Sequence, residues 1–175
     1  MKFLPLELIA SNAALGITES FIRSCKLPLC LEPADLVVTE LDYYSRSQRL
    51  TPECFAAWTS MKQAALAQEV TIFLISAYRS IEYQHQLIAK KIASGQAIDD
   101  ILKVNAAPGF SEHHTGRAID IGTSNCPAVV EEFEKTLAFQ WLESNAGSYG
   151  FSLSYPRNNR YGIAYEPWHW CFKKS

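Results

Sequence analysis

The sequence predicts an α+β fold in which helices flank a small antiparallel sheet. Three observations predict it. Apolar residues recur at helical spacing over central stretches, a β-branched apolar run lies between two of them, and strand-like aromatic segments gather towards the C-terminus.

Residues 1–50 are broken into short pieces by Pro5, Pro28 and Pro33, and read as an N-terminal elaboration with one strand at Leu36-Val37-Val38. Thr51-Pro52-Glu53 then offers an N-cap followed by proline at the first helical position. Phe55, Trp58, Met61, Ala65 and Leu66 follow at helical spacing, so a helix extends to about Gln68. Val70 to Ala77 is a buried strand. Ser80 caps a second helix, Ile81 to Ser94, with Tyr83, Leu87 and Ile88 turned inward. A polar, glycine-bearing stretch leads to a short strand, Gly116 to Ile121. Pro127 to Asn145 reads as a third helix carrying Val130, Phe133, Leu137 and Trp141. Tyr149 to Tyr155 and Tyr161 to Phe172 are expected to pair as strands around the turn Pro156-Arg157-Asn158-Asn159.

The chain of 175 residues fits one domain. A formal charge of −2, with scattered basic residues, gives no electrostatic reason to expect nucleic acid or an anionic membrane as partner. Pro5 and Glu7 interrupt the apolar core that a signal peptide needs, and no stretch approaches the roughly 20 apolar residues of a membrane span. The five cysteines are odd in number and form no close CxxC pair, which suits reduced thiols. A cytoplasmic protein is the expectation.

Three segments carry chemistry: Ser111-Glu112-His113-His114-Thr115-Gly116-Arg117-Ala118-Ile119-Asp120, Glu166-Pro167-Trp168-His169-Trp170, and Ser76-Ala77-Tyr78-Arg79-Ser80 followed by Gln84. His113 and Asp120 are seven residues apart, with Gly116 between them to permit a tight backbone path. A loop leading into a strand can aim both side chains at one point, and His169 on a partner strand supplies a third donor. Two imidazoles and one carboxylate match a catalytic zinc site with its fourth position open. Glu166, three residues before His169, can reach that position without being a ligand, as a general base must. Taken singly, each residue has a bland reading: Asp120 as a strand-end hydrogen-bonding group, Arg79 and Gln84 as solvated positions, Trp168 and Trp170 as core. His85 is read as structural. The group together needs a common explanation.

The pattern Ser-x-His-x-x-Gly-x-Ala-x-Asp at 111–120 resembles the zinc signature of VanY-type D-alanyl-D-alanine carboxypeptidases. Glu-Pro-Trp-His at 166–169 is similar to their second signature, and Ser76 to Arg79 with Gln84 to their substrate-binding segment. The wider group holds lysostaphin-like peptidases and the zinc domain of sonic hedgehog. The resemblance covers about Val70 to Phe172 and implies a LAS/hedgehog-like sheet carrying a zinc ion (Zn2+). By resemblance, His113, Asp120 and His169 bind zinc, Glu166 is the base, Arg79 holds substrate oxygen charge, and Gln84 and Ser111 grip the terminal carboxylate. The planar donor fork of Arg79 suits a carboxylate or an oxyanion equally. Relatives often carry arginine where Ser154 and Cys171 stand, so the substrate groove is expected to differ in shape and charge. His114 stands where relatives usually have glutamine; in an extended segment it points away from its neighbour's site, and it is not read as a ligand.

The resemblance implies hydrolysis of peptidoglycan-derived peptides. In the cytoplasm a D,D-carboxypeptidase would destroy the precursor pentapeptide, whereas an L,D-carboxypeptidase trimming recycled tetrapeptides would not. The expectation is therefore L,D-carboxypeptidase activity in cell-wall recycling, with D,D-carboxypeptidase as the alternative. A non-heme iron oxygenase uses the same donor types but commonly spaces its first two ligands more closely. A metal-bearing binding module would have no need of Glu166.

Overall fold

The computed structural model describes residues 5–173. Helices α1 (Leu6–Ala14) and α2 (Glu19–Ser24) precede a hairpin of β1 (Val37–Leu41) and β2 (Ser47–Leu50). Next come α3 (Pro52–Leu66), β3 (Phe73–Ser76), α4 (Ile81–Ala93) and α5 (Ile98–Val104). A 3-10 turn at Glu112–Thr115 leads into β4 (Ala118–Gly122). The chain ends with α6 (Leu137–Asn145), β5 (Phe151–Leu153) and β6 (His169–Phe172). Four strands form one antiparallel sheet in the order β3-β4-β6-β5. The α+β expectation holds, with helices flanking this sheet.

Local chemistry explains where the helices begin. Thr51 and Ser80 accept hydrogen bonds from the Cys54 and Tyr83 amides, so α3 and α4 start with satisfied backbone donors. Trp58, Met61 and Ala65 of α3 are fully buried with Leu74, Ile119, Ile121 and Trp170 of the sheet and Phe139 and Leu142 of α6. A second cluster joins Ile17, Ile22 and Leu27 to Ile88 of α4, Ile101 of α5, Phe110, Tyr155 and Ile163. Residues 15–27, part of the N-terminal elaboration, thus help to close this second core. Among the described residues no helix is long and apolar enough to cross a membrane.

Several expectations need correction. The third helix, 127–145, is a 3-10 turn at Glu131–Lys135 followed by α6. Thr136 breaks it: its backbone is extended, and its hydroxyl donates to the Phe133 carbonyl and accepts from the Phe139 amide. Of the expected strands 149–155 and 161–172, only β5 and β6 form. The Asn159 amide group bonds the carbonyls of Pro156 and Ile163, and its oxygen takes the Tyr161 amide hydrogen. The chain therefore curls on itself there instead of joining a ladder. Tyr83 is 53% exposed, and Gln84 takes the inward place beside Ile88, fully buried. Leu66 and Leu137 also face outward. The polar stretch after α4 contains α5, which buries Ile101 and Leu102.

Candidate active site

Strand register brings the candidate ligands together. Asp120 on β4 pairs directly with His169 on β6, and with Ser76 on β3 across its other edge. His113 arrives from the 3-10 turn, not from an extended loop. Gly116 ends that turn in the left-handed region, at φ 63°, where a β-carbon would also meet Leu36 at 2.6 Å. The tight reversal that lets His113 and Asp120 face one point therefore needs glycine.

His113 Nε2 lies 3.3 Å from Asp120 Oδ2, and His169 Nδ1 lies 3.2 Å from Asp120 Oδ1. The donor atoms of the three residues lie within 4.8 Å of one another, and all three side chains are buried. Two features fit a metal rather than a self-contained polar cluster. The Asp120 Oδ1 atom is buried with no well-aligned hydrogen bond, despite the nearby imidazole. His113 Nδ1 sits 2.6 Å from the Ala77 carbonyl, so it carries the hydrogen and leaves the Nε2 lone pair facing the site. Two nitrogens and a carboxylate oxygen are the donor set of an open tetrahedral zinc site.

Glu166 is three residues before His169, with 3.7 Å between its carboxylate and His169 Nδ1. Burial pushes its pKa up to about 7; His169 and Arg79 pull it down while Asp120 and Glu112 add to the rise. A carboxylate so placed can take and return a proton near neutral pH. Arg79 follows β3, and its guanidinium donates to Gln84 Oε1 at 3.0 Å. The Gln84 amide nitrogen donates in turn to the Ala106 carbonyl at 2.8 Å. His113, Asp120, His169, Glu166, Arg79, Gln84 and Ser111 all line one cleft of about 370 Å³. That volume suits a short peptide end.

His114 turns away from this cleft, although by a different route from the one expected. In the 3-10 turn its Nδ1 reaches the Arg79 carbonyl at 2.6 Å, and its Nε2 accepts the Gly109 amide at 3.2 Å. It braces the substrate-side loop against the end of β3. His85 bonds Ser11 at 2.9 Å, outside the cleft lining.

Glu112 escaped the sequence reading. Its carboxylate lies 3.0 Å from His169 Nε2 and accepts the Ser154 hydroxyl. Burial opposes its charge, but these hydrogen bonds outweigh that and hold its pKa at about 2. Burial likewise opposes a charge on His169, yet the Asp120 and Glu112 carboxylates beside its two ring nitrogens raise its pKa to about 10. Tyr155, also missed, packs its ring 4.8 Å from the His169 ring. Ser154 and Cys171 are buried and do not line the cleft; Cys171 lies with Glu112 in a separate hollow behind it. The expected change in the substrate groove at these two positions is therefore a change in the surroundings of Glu112.

Sheet, turn and donor set together define a chain of the LAS zinc-peptidase fold group. Within that group it belongs to the VanY family of D-alanyl-D-alanine carboxypeptidases, whose sequence profile matches residues 47–175. YodJ of Bacillus subtilis, described by inference as a carboxypeptidase, is 32% identical over 150 residues, 82% of this chain and 55% of that protein. A D-alanyl-D-alanine carboxypeptidase of Enterococcus faecalis is 29% identical over 143 residues, 76% of this chain and 52% of that protein. This chain thus spans about half the length of these curated relatives. Among solved structures, the LdcB LD-carboxypeptidase is similar over 83% of this chain and 71% of its own, with TM-score 0.72 and 32% identity. A Zn(II) complex of the VanY D,D-pentapeptidase from a VanB-type resistance cassette is similar over 83% and 86%, with TM-score 0.62 and 26% identity.

Proposed function

We propose that this chain is a zinc-dependent L,D-carboxypeptidase that removes the terminal D-Ala from peptidoglycan tetrapeptides in cell-wall recycling. The observation that carries the hydrolase reading is the convergence of His113, Asp120 and His169 beside a protonatable Glu166, all on one cleft. His113, Asp120 and His169 would hold the zinc. When bound, the ion supplies Lewis acidity, acidifying a water and polarising the scissile carbonyl. Glu166 takes a proton from the attacking water and delivers it to the departing amine. Arg79, steadied by Gln84, faces the oxygen on which negative charge develops. Ser111 offers a hydroxyl to the substrate's end. No side chain needs to become covalently attached.

The L,D preference is supported by the likeness to LdcB, stronger in both identity and fold overlap than the likeness to the VanY D,D-pentapeptidase. The names of the enterococcal relatives favour the D,D reading as its rival. A cytoplasmic place of action accompanies the proposal: Cys54, Cys126 and Cys171 stand as thiols, which suits a reducing compartment. There, sparing the pentapeptide precursor would matter. Comparing kcat/KM for tetrapeptide and pentapeptide under identical zinc and pH tests the preference. The tetrapeptide is expected to be cleaved at least about tenfold more efficiently, about 1.4 kcal/mol of transition-state discrimination. Equal rates or a preference for D-Ala-D-Ala would give the D,D reading the place.

A further inference from the structure

Helix α1 lies outside residues 47–175, the part of the chain that the family profile matches. It packs against residues 106–109, on the loop that leads to Ser111. Asn12 of α1 is fully buried, and its amide nitrogen donates to the Leu8 carbonyl at 2.8 Å and to the Pro108 carbonyl at 3.1 Å. Both neighbours of that nitrogen are carbonyls, so the amide can face only this way. Its oxygen is left buried with no partner among the described residues. A buried acceptor without a donor costs stability, and a leucine at this position would avoid that cost. One turn earlier, Leu8 closes on Gly109, where φ is 87° and a β-carbon would stand 2.5 Å from the leucine side chain. The Cys30 amide holds the Gly109 carbonyl at 2.7 Å, and Ser11 ties α1 to His85, the residue after Gln84 on α4.

Residues 106–109 in turn hold Arg79 from both ends. At the first end, the Ala106 carbonyl accepts the Gln84 amide nitrogen at 2.8 Å, and Gln84 Oε1 accepts the Arg79 guanidinium at 3.0 Å. At the last, the Gly109 amide donates to His114 Nε2 at 3.2 Å, and His114 Nδ1 donates to the Arg79 carbonyl at 2.6 Å. Two hydrogen bonds on either path thus join this short segment to the guanidinium and to the backbone of Arg79. The Phe110 amide closes the segment into a turn on the Ala107 carbonyl, so its two ends shift together. A displacement on the order of 1 Å in a group that meets developing charge can cost about 10²-fold in rate.

We propose that Asn12 is a positioning residue for Arg79: through the Pro108 carbonyl it fixes residues 106–109, and these set where the guanidinium stands in the cleft. The unpaired oxygen is the cost of placing an amide donor at Pro108. Helix α1 is then a working part of the active site and not only a cover for the core. This rests on the carboxypeptidase reading and deepens it, since it gives an element outside the family profile a share in the reaction.

The test is a double-mutant cycle in the zinc-loaded full chain, with kcat/KM on a peptidoglycan tetrapeptide measured for the parent, Asn12→Leu, Arg79→Ala and the double variant. Asn12→Leu is expected to lower kcat/KM at least about fivefold in the parent and less than about twofold once Arg79 is gone, with zinc affinity unchanged. The same factor in both backgrounds would make Asn12 an ordinary packing residue and overturn the proposal, as would a loss under about twofold in the parent. Leu8→Ala loosens the same helix from Gly109 without touching a polar group. It must show the same dependence on Arg79, and it carries the cycle should Asn12→Leu not fold. A second measurement needs no turnover: NMR relaxation of the Arg79 Nε–H group, assigned by its loss in Arg79→Ala. Its order parameter is expected to fall by about 0.1 or more in Asn12→Leu, and an unchanged value would refute the link. Should the parent hydrolyse neither tetrapeptide nor pentapeptide, the carboxypeptidase reading fails, and the NMR measurement still decides whether Asn12 positions Arg79.

Discussion

The outer ring nitrogen of His169 lies 3.0 Å from the Glu112 carboxylate, while its inner nitrogen faces Asp120 at 3.2 Å. A carboxylate behind a ligating imidazole fixes which nitrogen carries hydrogen and makes the other a better donor. Glu112→Ala is therefore expected to weaken zinc binding about 10–100-fold, read by competition with a calibrated chelator. Unchanged affinity would remove Glu112 from the metal site's support.

The same pair sets the pH dependence of metal uptake. Held between Asp120 and Glu112, His169 keeps its proton up to about pH 10 without metal. A metal must displace that proton, so uptake near neutral pH should release about one proton, and apparent affinity should rise about tenfold per pH unit. Calorimetry in buffers of different ionisation enthalpy measures the release. Binding without proton release would contradict the protonation assigned to His169.

Glu166→Gln keeps the size of the side chain and removes its basicity. The variant should retain zinc and lose about 10²–10⁴ in kcat. A kcat near the parent's would move the base to another residue.

His114 links stability to pH. Burial holds its pKa down at about 4 against the usual 6.5, with the Arg79 carbonyl pulling the other way. The unfolded chain thus takes up this proton near pH 6.5 and the folded chain only near 4. Its contribution is complete above pH 6.5 and is lost as the pH falls towards 4, on the order of 3 kcal/mol. Glu112, held at about 2, adds its own loss below pH 4.5, and His113 and Glu166 also titrate between 6.5 and 4.5, so the histidine's share is the difference between the parent and a variant that lacks it. Urea unfolding of the chelated protein should show the parent losing more stability across that window than His114→Gln, whose amide can still donate and accept. Parallel losses would assign the titration elsewhere.

How much of this was legible in sequence follows from what each residue depends on. His113, Asp120 and His169 were legible because their convergence depends on local geometry: a glycine reversal and the ends of adjacent strands. Glu112 was not. Its role depends on where the outer nitrogen of His169 points, which only the β4–β6 register decides. The inner face of α4 was misread because Tyr83 is more apolar than Gln84. Yet Gln84 can be buried at little cost once Arg79 and Ala106 satisfy its amide. The turn at 156–159 was legible, but residues 161–168 beyond it are expected as strand from their aromatics, whereas the hydrogen bonds of Asn159 to Tyr161 and Ile163 curl them away from the ladder.

The central claim is that His113, Asp120 and His169 hold one zinc ion whose presence makes the cleft a carboxypeptidase. Mass spectrometry of a purified muropeptide tetrapeptide, incubated with zinc-loaded protein, chelated protein and a His113→Ala/His169→Ala variant, tests it most directly. The account predicts loss of one D-Ala with the zinc-loaded protein, and an intact tetrapeptide with the other two, the variant retaining no stoichiometric zinc. An uncut tetrapeptide and pentapeptide with fully zinc-loaded protein, or D-Ala release by the double variant, would contradict it.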